Sequence, residues 1–121
     1  MKNLCATILN ADDSMSQTSS VIDANQLIAA SFAIYFGDST AAGTVKIQAS
    51  NDPTTQGYLA NPANFSPTNW VDIPSATASI ASGGSALITI NQMCYRWLQA
   101  VFTHSGGGST KITININALS I

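Results

Sequence analysis

The side chains of this 121-residue sequence that could do chemistry are few and widely spaced. Its one histidine, His104, stands directly before a glycine-rich segment, Ser105 to Ser109. The sequence contains no Gly-x-Ser-x-Gly nucleophile elbow and no paired Cys and His. A Ser-His-Asp triad would have to recruit this one histidine from beside a turn. We therefore expect a protein that is not an enzyme.

The acidic side chains are better suited to turns than to metal binding. All six are aspartates at predicted strand ends and loops: Asp12, Asp13, Asp23, Asp38, Asp52 and Asp72. A short carboxylate caps turns at such places. No segment has the alternating oxygen ligands of a calcium loop, and His104 has no second ligand nearby. The sequence predicts no cofactor and no metal site, although separate loops could still assemble one for calcium.

Charge and length exclude further classes. Only 8% of the residues are charged and the net charge is −2, so no basic patch is available for nucleic acid. No apolar run reaches the roughly 18 residues of a membrane span. The start, Met1 to Leu4, lacks the apolar run of a signal peptide, which predicts synthesis in a cytoplasm. In that reducing compartment we expect Cys5 and Cys94 to be free, buried thiols.

Strands are the elements that must position these residues. Period-2 alternation and turn residues predict about eight of them, with few helical signals. The predicted strands are 4–10, 26–36, 43–50, 70–73, 76–80, 86–90, 94–103 and 111–119, and 14–21 is an edge strand or loop. The last two, 94–103 and 111–119, are predicted to form a hairpin. The fold class is therefore all-β, an antiparallel sandwich or jelly roll, in one domain over residues 1–121.

Two strands carry apolar residues on both faces. In 26–36 both sets of alternate residues are apolar, so this strand is predicted to be covered on both sides, with a helix as the alternative. In 94–103 the face opposite the predicted core carries Tyr95, Trp97 and Val101. Either a loop of the same chain or another subunit covers them. With Tyr58, from the Pro-rich segment 51–68, they are the candidate interface residues.

Three segments together resemble a known group of proteins. They are 43–52 (GTVKIQASND), 69–74 (NWVDIP) and 95–103 (YRWLQAVFT), and the predicted hairpin 105–116 extends the match. This set is similar to small β-sandwich virion proteins of tailed bacteriophages, and the same order occurs in discoidin-like, galactose-binding-like sandwiches. The long insertion from Pro53 to Pro67, and Gln99 where an arginine is common, depart from the pattern. The sugar-binding loops of discoidin-like proteins have no match here.

The resemblance implies structural roles for four residues. Asp52 follows Asn51 in a tight turn, and Trp70 is a large apolar anchor near that turn. Arg96 begins the strand that returns through the core, and pairing with Asp72 or Asp52 is expected. These four, Asp52, Trp70, Asp72 and Arg96, are the candidate structural anchors.

The resemblance and the two-faced strands predict a non-catalytic virion component, such as a head decoration, head fibre or tail-associated part. Its partners would be capsid or tail proteins and further copies of itself, with a trimer slightly favoured. Its location would be the virion, after synthesis in the host cytoplasm. The alternative is a carbohydrate-binding module that recognises host surface glycans, with an exposed aromatic residue stacking on the sugar.

Overall fold

Alternating apolar and polar residues produce nine strands in the computed structural model, which describes residues 2–53 and 66–121. They are β1 (Lys2–Asp12), β2 (Gln17–Thr18), β3 (Ile22–Asp23), β4 (Leu27–Phe36), β5 (Ala42–Ser50), β6 (Val71–Ile80), β7 (Ser85–Ile90), β8 (Trp97–Gly106) and β9 (Lys111–Ser120). Every strand pair is antiparallel. The predicted all-β antiparallel sandwich is confirmed.

The strands form two sheets that face one another. Sheet A has the order β1-β9-β4-β7, and sheet B has the order β2-β8-β5-β6 with β3 also paired to β8. The chain changes sheet at most of its connections. The connection from β5 to β6 is an exception, because these two strands pair directly and residues 51–70 join them. The described ends of this connection, residues 51–53 and 66–70, lie at one end of sheet B.

Alternate side chains from the two sheets meet in the core, as the period-2 pattern requires. Sheet A contributes fully buried Phe32, Ile34, Ile112 and Ile114, and sheet B contributes Val45, Ile47, Leu98 and Phe102. The rings of Phe36 and Phe102 meet edge to face across the two sheets, with their centroids 5.5 Å apart. The largest buried side chains thus lie on the central strands of both sheets.

Strand β4 has the two faces that its sequence predicts. Ala30, Phe32 and Ile34 point into the core and are buried. The opposite residues, including Ala29 and Ala33, are half-exposed, and Tyr35 is 50% exposed. No described residue covers this second face, which consequently lies open on the outside of sheet A.

The predicted hairpin between the last two strands is wrong. Strand β8 pairs with β5 in sheet B, whereas β9 pairs with β1 and β4 in sheet A. The glycine turn between them carries the chain from one sheet to the other. Gly107 and Gly108 both have positive φ, at 67° and 96°, which bends the backbone out of the plane of sheet B. The spacing of residues around the glycine turn is the same for a hairpin and for a crossing between sheets, so the sequence could not distinguish the two.

The predicted break at Pro74 is also wrong, because β6 runs unbroken from Val71 to Ile80. The pairing of β5 with β6 shifts register between Lys46 and Gln48, opposite Pro74 and Ser75. Ser75 has a φ of 64°, as expected for an irregular bulge. Since β6 is the edge strand of sheet B, a proline there costs no ladder hydrogen bond on its open side.

The two cysteines are free, but the expectation that they are buried is wrong. Cys5 and Cys94 are both exposed. Cys5 occupies an outward position of β1, where its thiol donates a hydrogen bond to Asn117 Oδ1 at 3.2 Å. In β1, Leu4 and Ala6 take the inward positions, so Cys5, which lies between them, points outward.

Gly107 is the glycine whose replacement should disturb the sheet crossing most. A Cβ there would lie 2.0 Å from the Thr40 carbonyl oxygen, and its φ of 67° adds strain. We expect Gly107→Ala to lower the free energy of unfolding by about 2 kcal/mol or more. Gly106→Ala is the matched control, because a Cβ at that position meets nothing within 4 Å. Equal urea midpoints for the two variants would contradict this account of the turn.

Asp38 should make stability depend on acid pH. Hydrogen bonds from the Ser109 hydroxyl, then from the Thr40 hydroxyl and amide, lower the pKa of Asp38 from 3.8 to about 2. A depressed folded-state pKa means that the carboxylate stabilises the fold above 3.8 and that this contribution is lost as the pH falls toward 2. We expect the melting temperature to fall over that range, and less steeply in Asp38→Asn. Identical slopes would argue against it.

Candidate functional site

Asn51 and Asp52 join the segments that meet at the end of β5. The Asp52 carboxylate accepts hydrogen bonds from the backbone N–H of Thr68 at 2.8 Å and of Asn69 at 3.0 Å. It also accepts one from the Asn69 side-chain amide at 2.9 Å. These bonds tie residues 51–53 to residues 66–70, and we call this region the neck. Asn51 Oδ1 accepts the Arg96 N–H at 3.0 Å, which fixes the approach to β8.

The hydrogen bonds at the neck favour the charged form of Asp52. The Asn69 side chain, followed by the backbone N–H groups of Thr68 and Asn69, lowers the pKa of Asp52 below 3.8. Four aspartates of the described chain, Asp12, Asp38, Asp52 and Asp72, have pKa values lowered mainly by hydrogen bonds. The aspartates act here as acceptors for backbone and side-chain donors, as their positions at strand ends indicate.

Arg96 and Trp97 form a stacked pair beside the neck. The guanidinium carbon of Arg96 lies 3.9 Å from the centroid of the Trp97 ring. Arg96 pairs with Asp23, so the expected partners Asp52 and Asp72 are wrong. β3 runs beside the start of β8 and places Asp23 opposite Trp97, which brings the carboxylate within reach. The sequence lacked any signal for that pairing, because 73 residues separate the two.

Trp97 is covered by its own chain. Its side chain is 3% exposed, and its indole N–H donates to the Asp52 carbonyl oxygen at 3.1 Å. Of the two alternatives for this candidate interface residue, the structure favours intrachain cover. The other candidates differ: Val101 is half-exposed on the outer face of β8, Tyr95 is half-buried, and Tyr58 lies outside the described residues.

Trp70 closes the neck without entering the core. Its side chain is half-exposed, and its indole N–H donates to the Pro67 carbonyl oxygen at 3.2 Å. The next residues, Val71 and Asp72, begin β6. A partly exposed ring contributes less than a fully buried one, so its anchoring role is local to residues 67–70.

Asp72 ends a polar row that crosses the outer face of sheet B. Its carboxylate accepts from Gln48 Nε2 at 2.9 Å and from Lys46 Nζ at 3.3 Å. Gln48 Oε1 in turn accepts from Gln99 Nε2 at 2.8 Å. An amide at position 99 therefore continues the row from β8 through β5 to β6 without an arginine. Hydrogen bonds from Gln48, then Lys46, lower the pKa of Asp72.

Two clefts lie side by side at the neck end of the sandwich. The first, of about 510 Å³, is lined by Ala49, Ser50, Asn51, Asp52, Asn69, Val71, Asp72, Ile73, Pro74 and Tyr95. The second, of about 420 Å³, is lined by Ala24, Asn25, Leu27, Asn51, Asp52, Pro53, Met93, Cys94, Tyr95 and Arg96. Tyr95, Asn51 and Asp52 belong to both, so they form the ridge between the two clefts.

The remaining residues that could do chemistry are dispersed. His104 lies in β8, far along the strand from the neck, and its Nε2 is 2.8 Å from the Gly107 carbonyl oxygen. Within residues 2–53 and 66–121, no three His, Cys, Asp or Glu side chains come together as a group that could hold a metal ion. The same residues include no helix long and apolar enough to cross a membrane.

The sequence placed Trp70 near the Asn51-Asp52 turn, and both lie at the neck. Arg96, expected to pair with Asp52 or Asp72, instead meets the neck through its backbone N–H, which donates to Asn51.

Sequence reasoning missed Asn69, whose side-chain and backbone N–H groups both bind Asp52. The pair Asn69-Trp70, which follows the Pro-rich segment, was the sequence feature that could have indicated this role of Asn69. Sequence reasoning also missed Asp23, for which the sequence carried no signal.

Solved structures of phage-derived proteins share this fold. The PBSX exported protein XepA superposes with a TM-score of 0.66 over 98% of this chain at 11% identity, and the chain spans 37% of XepA. The SPBc2 prophage-derived protein YomS superposes with a TM-score of 0.57 over 98% of this chain and 94% of its own, at 7% identity. No family model and no curated protein sequence matches the chain. These likenesses establish the fold.

Asp52→Asn tests whether the carboxylate holds the neck. The change replaces one acceptor oxygen by a donor that faces N–H groups, so we expect faster hydrogen exchange at the Thr68 and Asn69 amides and a lower melting temperature. Asp12→Asn is the control, because the Asp12 carboxylate accepts hydrogen bonds from Ser14 within its own turn, away from the neck. Unchanged exchange at both neck amides would show that the carboxylate is dispensable there.

Proposed function

We propose that this protein is a non-catalytic structural component of a bacteriophage virion that assembles through protein–protein contacts. Head decoration, head fibre and tail-associated component are the roles that fit a small sandwich of this kind. Its partners are other virion proteins and further copies of the chain. The proposal rests on one feature of the molecule, the outer face of sheet A, and draws support from the fold comparisons.

The outer face of sheet A is nearly free of charge. The outward residues of its four strands are mostly short and neutral: Asn3, Cys5, Thr7, Asn10, Ala29, Ser31, Ala33, Tyr35, Ser85, Leu87, Thr89, Thr113, Asn115, Asn117 and Leu119. Asp12 and Lys111, paired at one end of β1 and β9, are its charged side chains among the described residues. Leu87 is 66% exposed and Tyr35 is 50% exposed.

Such a face suits a permanent contact. The cores of interfaces are depleted of charged residues and contain aromatic anchors, as this face does. Short side chains leave a shallow, open depression of about 440 Å³ on this face. Several of its polar side chains bond to each other, as Thr7 Oγ1 does to Asn115 Oδ1 at 2.7 Å and Thr113 Oγ1 to Asn10 Oδ1 at 3.4 Å. A partner surface could therefore cover it without burying an unpaired charge.

The fold likeness supports the choice of a phage component. Both superposed proteins derive from phages, and YomS matches this chain along nearly its whole length. One of them is described as an exported protein, which is compatible with a location outside the cell that made it. A symmetric homo-oligomer, with a trimer favoured, would cover the outer face of sheet A in identical copies.

Leu87→Lys tests this face. A lysine within such a contact would be buried without a partner, so we expect it to shift the protein from oligomer to monomer in sedimentation velocity and to reduce its incorporation into phage particles. Ser79→Lys, an exposed position on the edge strand β6 of sheet B, is the matched control and should change neither. A wild-type monomer at every concentration that is also absent from purified particles would overturn the proposed function.

A further inference from the structure

We infer that the free edge of β1 accepts an extended segment of another virion protein, which adds a strand to sheet A beside residues 2–7. The segment carries aliphatic side chains at alternate positions and an acidic residue at its carboxyl end. This inference deepens the proposed function by assigning it a partner contact, and it rests on that function for the identity of the partner as a virion protein. The site lies at the edge of sheet A opposite to β7.

The outer edge of β1 has backbone groups without partners. β1 is the first strand in the order β1-β9-β4-β7, so β9 pairs with one of its sides and the other side is open. On the open side the N–H of Ser20 donates to the Ile8 carbonyl oxygen at 3.1 Å. From Lys2 to Thr7, no described residue outside β9 hydrogen-bonds the β1 backbone. The unpaired groups repeat at every second residue over about 17 Å, a spacing that another extended backbone matches.

This edge lacks the features that usually prevent strand addition. Edge strands are commonly blocked by charged residues, prolines or bulges within their length. In residues 2–7 the one charged residue, Lys2, stands at the end, and there is no proline. The bulge between Thr7 and Leu9 ends the free edge and does not interrupt it. All six residues are exposed, whereas Ile8 and Leu9 are buried. The open edge is therefore continuous and has a defined length.

An apolar cleft lies beside this edge, between the two sheets. On this side of the sandwich, sheet B has only the two-residue strands β2 and β3, which cover the inner face of β1 in part. The cleft measures about 340 Å³, and its apolar lining includes Leu4, Ala6, Val21, Ile22 and Leu27. Leu4 is 48% exposed and Val21 is 43% exposed. Every second side chain of an added strand would point into this cleft, so aliphatic residues suit those positions.

The charges at the start of β1 favour an acidic carboxyl end in the added segment. Lys2 lines an adjoining cleft of about 390 Å³, together with Leu4 and Asp23. Asp23 is paired with Arg96, whereas no described carboxylate lies within ion-pair distance of Lys2. Every strand pair of this fold is antiparallel, and a segment added to β1 in that direction has its carboxyl end beside Lys2. An acidic residue there would meet an unpaired ammonium group.

The first test uses a synthetic probe and the full chain. The probe is a labelled, N-acetylated seven-residue peptide in which threonine and valine alternate and the last residue is aspartate, kept below the concentration at which it self-associates. We expect it to bind and to slow hydrogen exchange at alternate amides between Asn3 and Thr7, but not in β6. The matched control is the same peptide with N-methylated amides, which keeps the side chains but cannot donate hydrogen bonds to a strand edge.

Variants of the edge should separate the contributions of side chain and charge. Leu4→Asn replaces an aliphatic side chain that the added strand would cover, and we expect about a tenfold or greater loss of affinity for the probe. Lys2→Gln should cost about threefold and remove the salt dependence of binding. Val71→Asn is the matched control, because Val71 is 69% exposed on β6, the edge strand of sheet B, and it should bind like the wild type. These side chains are exposed, so the melting temperatures should stay close to that of the wild type.

The second test uses assembled phage particles. With a photo-cross-linking amino acid in place of Leu4, irradiation should join this position to an extended segment of a different virion protein, mapped by mass spectrometry. A cross-link to a second copy of this chain would overturn the inference. Absence of probe binding, equal binding of the N-methylated peptide, or full affinity in Leu4→Asn would also overturn it.

Failure of this edge site and failure of the proposed function are distinguishable. Absence of the protein from purified particles would overturn the proposed function, while the peptide titration would still decide whether the edge of β1 accepts a strand. A protein that is present in particles but gives no cross-link from position 4 to another virion protein would overturn the inference alone.

Discussion

The end of this sandwich depends on how the chain returns after β5. A 15-residue Pro-rich segment from Pro53 to Pro67 separates two strands that pair directly, so its two ends must be held together before β6 can lie beside β5. The Asp52 carboxylate does this with three hydrogen bonds, and its carbonyl oxygen receives the Trp97 indole. One residue thus fixes the edge of sheet B and the start of β8, and with them the ridge at Tyr95.

The outer faces of both sheets carry few charged side chains, but their polar groups are arranged differently. On the outer face of sheet B, the row from Gln99 through Gln48 to Asp72 and Lys46 pairs polar groups across three strands. On the outer face of sheet A the side chains are mostly short and neutral, with Leu87 and Tyr35 exposed among them. The first face is complete in a single chain. The outer face of sheet A has a composition that suits contact with a partner surface.

Strand positions and faces could be predicted from the sequence because alternation is a local property. The inward and outward sets of β4, for example, follow directly from the order of its residues. Sheet membership could not be predicted, since the turn at Gly107 would serve a hairpin or a crossing equally well. An unbroken β6 past Pro74 could be predicted only if it were known that β6 is an edge strand. At the neck, the sequence located Asp52 and Trp70 but not the partner of Arg96, because Asp23 is 73 residues away along the chain.

The placement of β9 between β1 and β4 governs the order in which this fold can form. Lys2 pairs with Ser120, so sheet A closes only when the two ends of the described chain meet across more than a hundred intervening residues. Bringing the two ends together costs loop-closure entropy before their contact stabilises the fold, so such pairing is slow. Until β9 docks, β1 and β4 have no strand between them and their apolar faces are open. An unfolded chain in which β9 is not yet placed leaves the facing edges of β1 and β4 without a partner, and an unpaired strand edge is where one chain can pair with another.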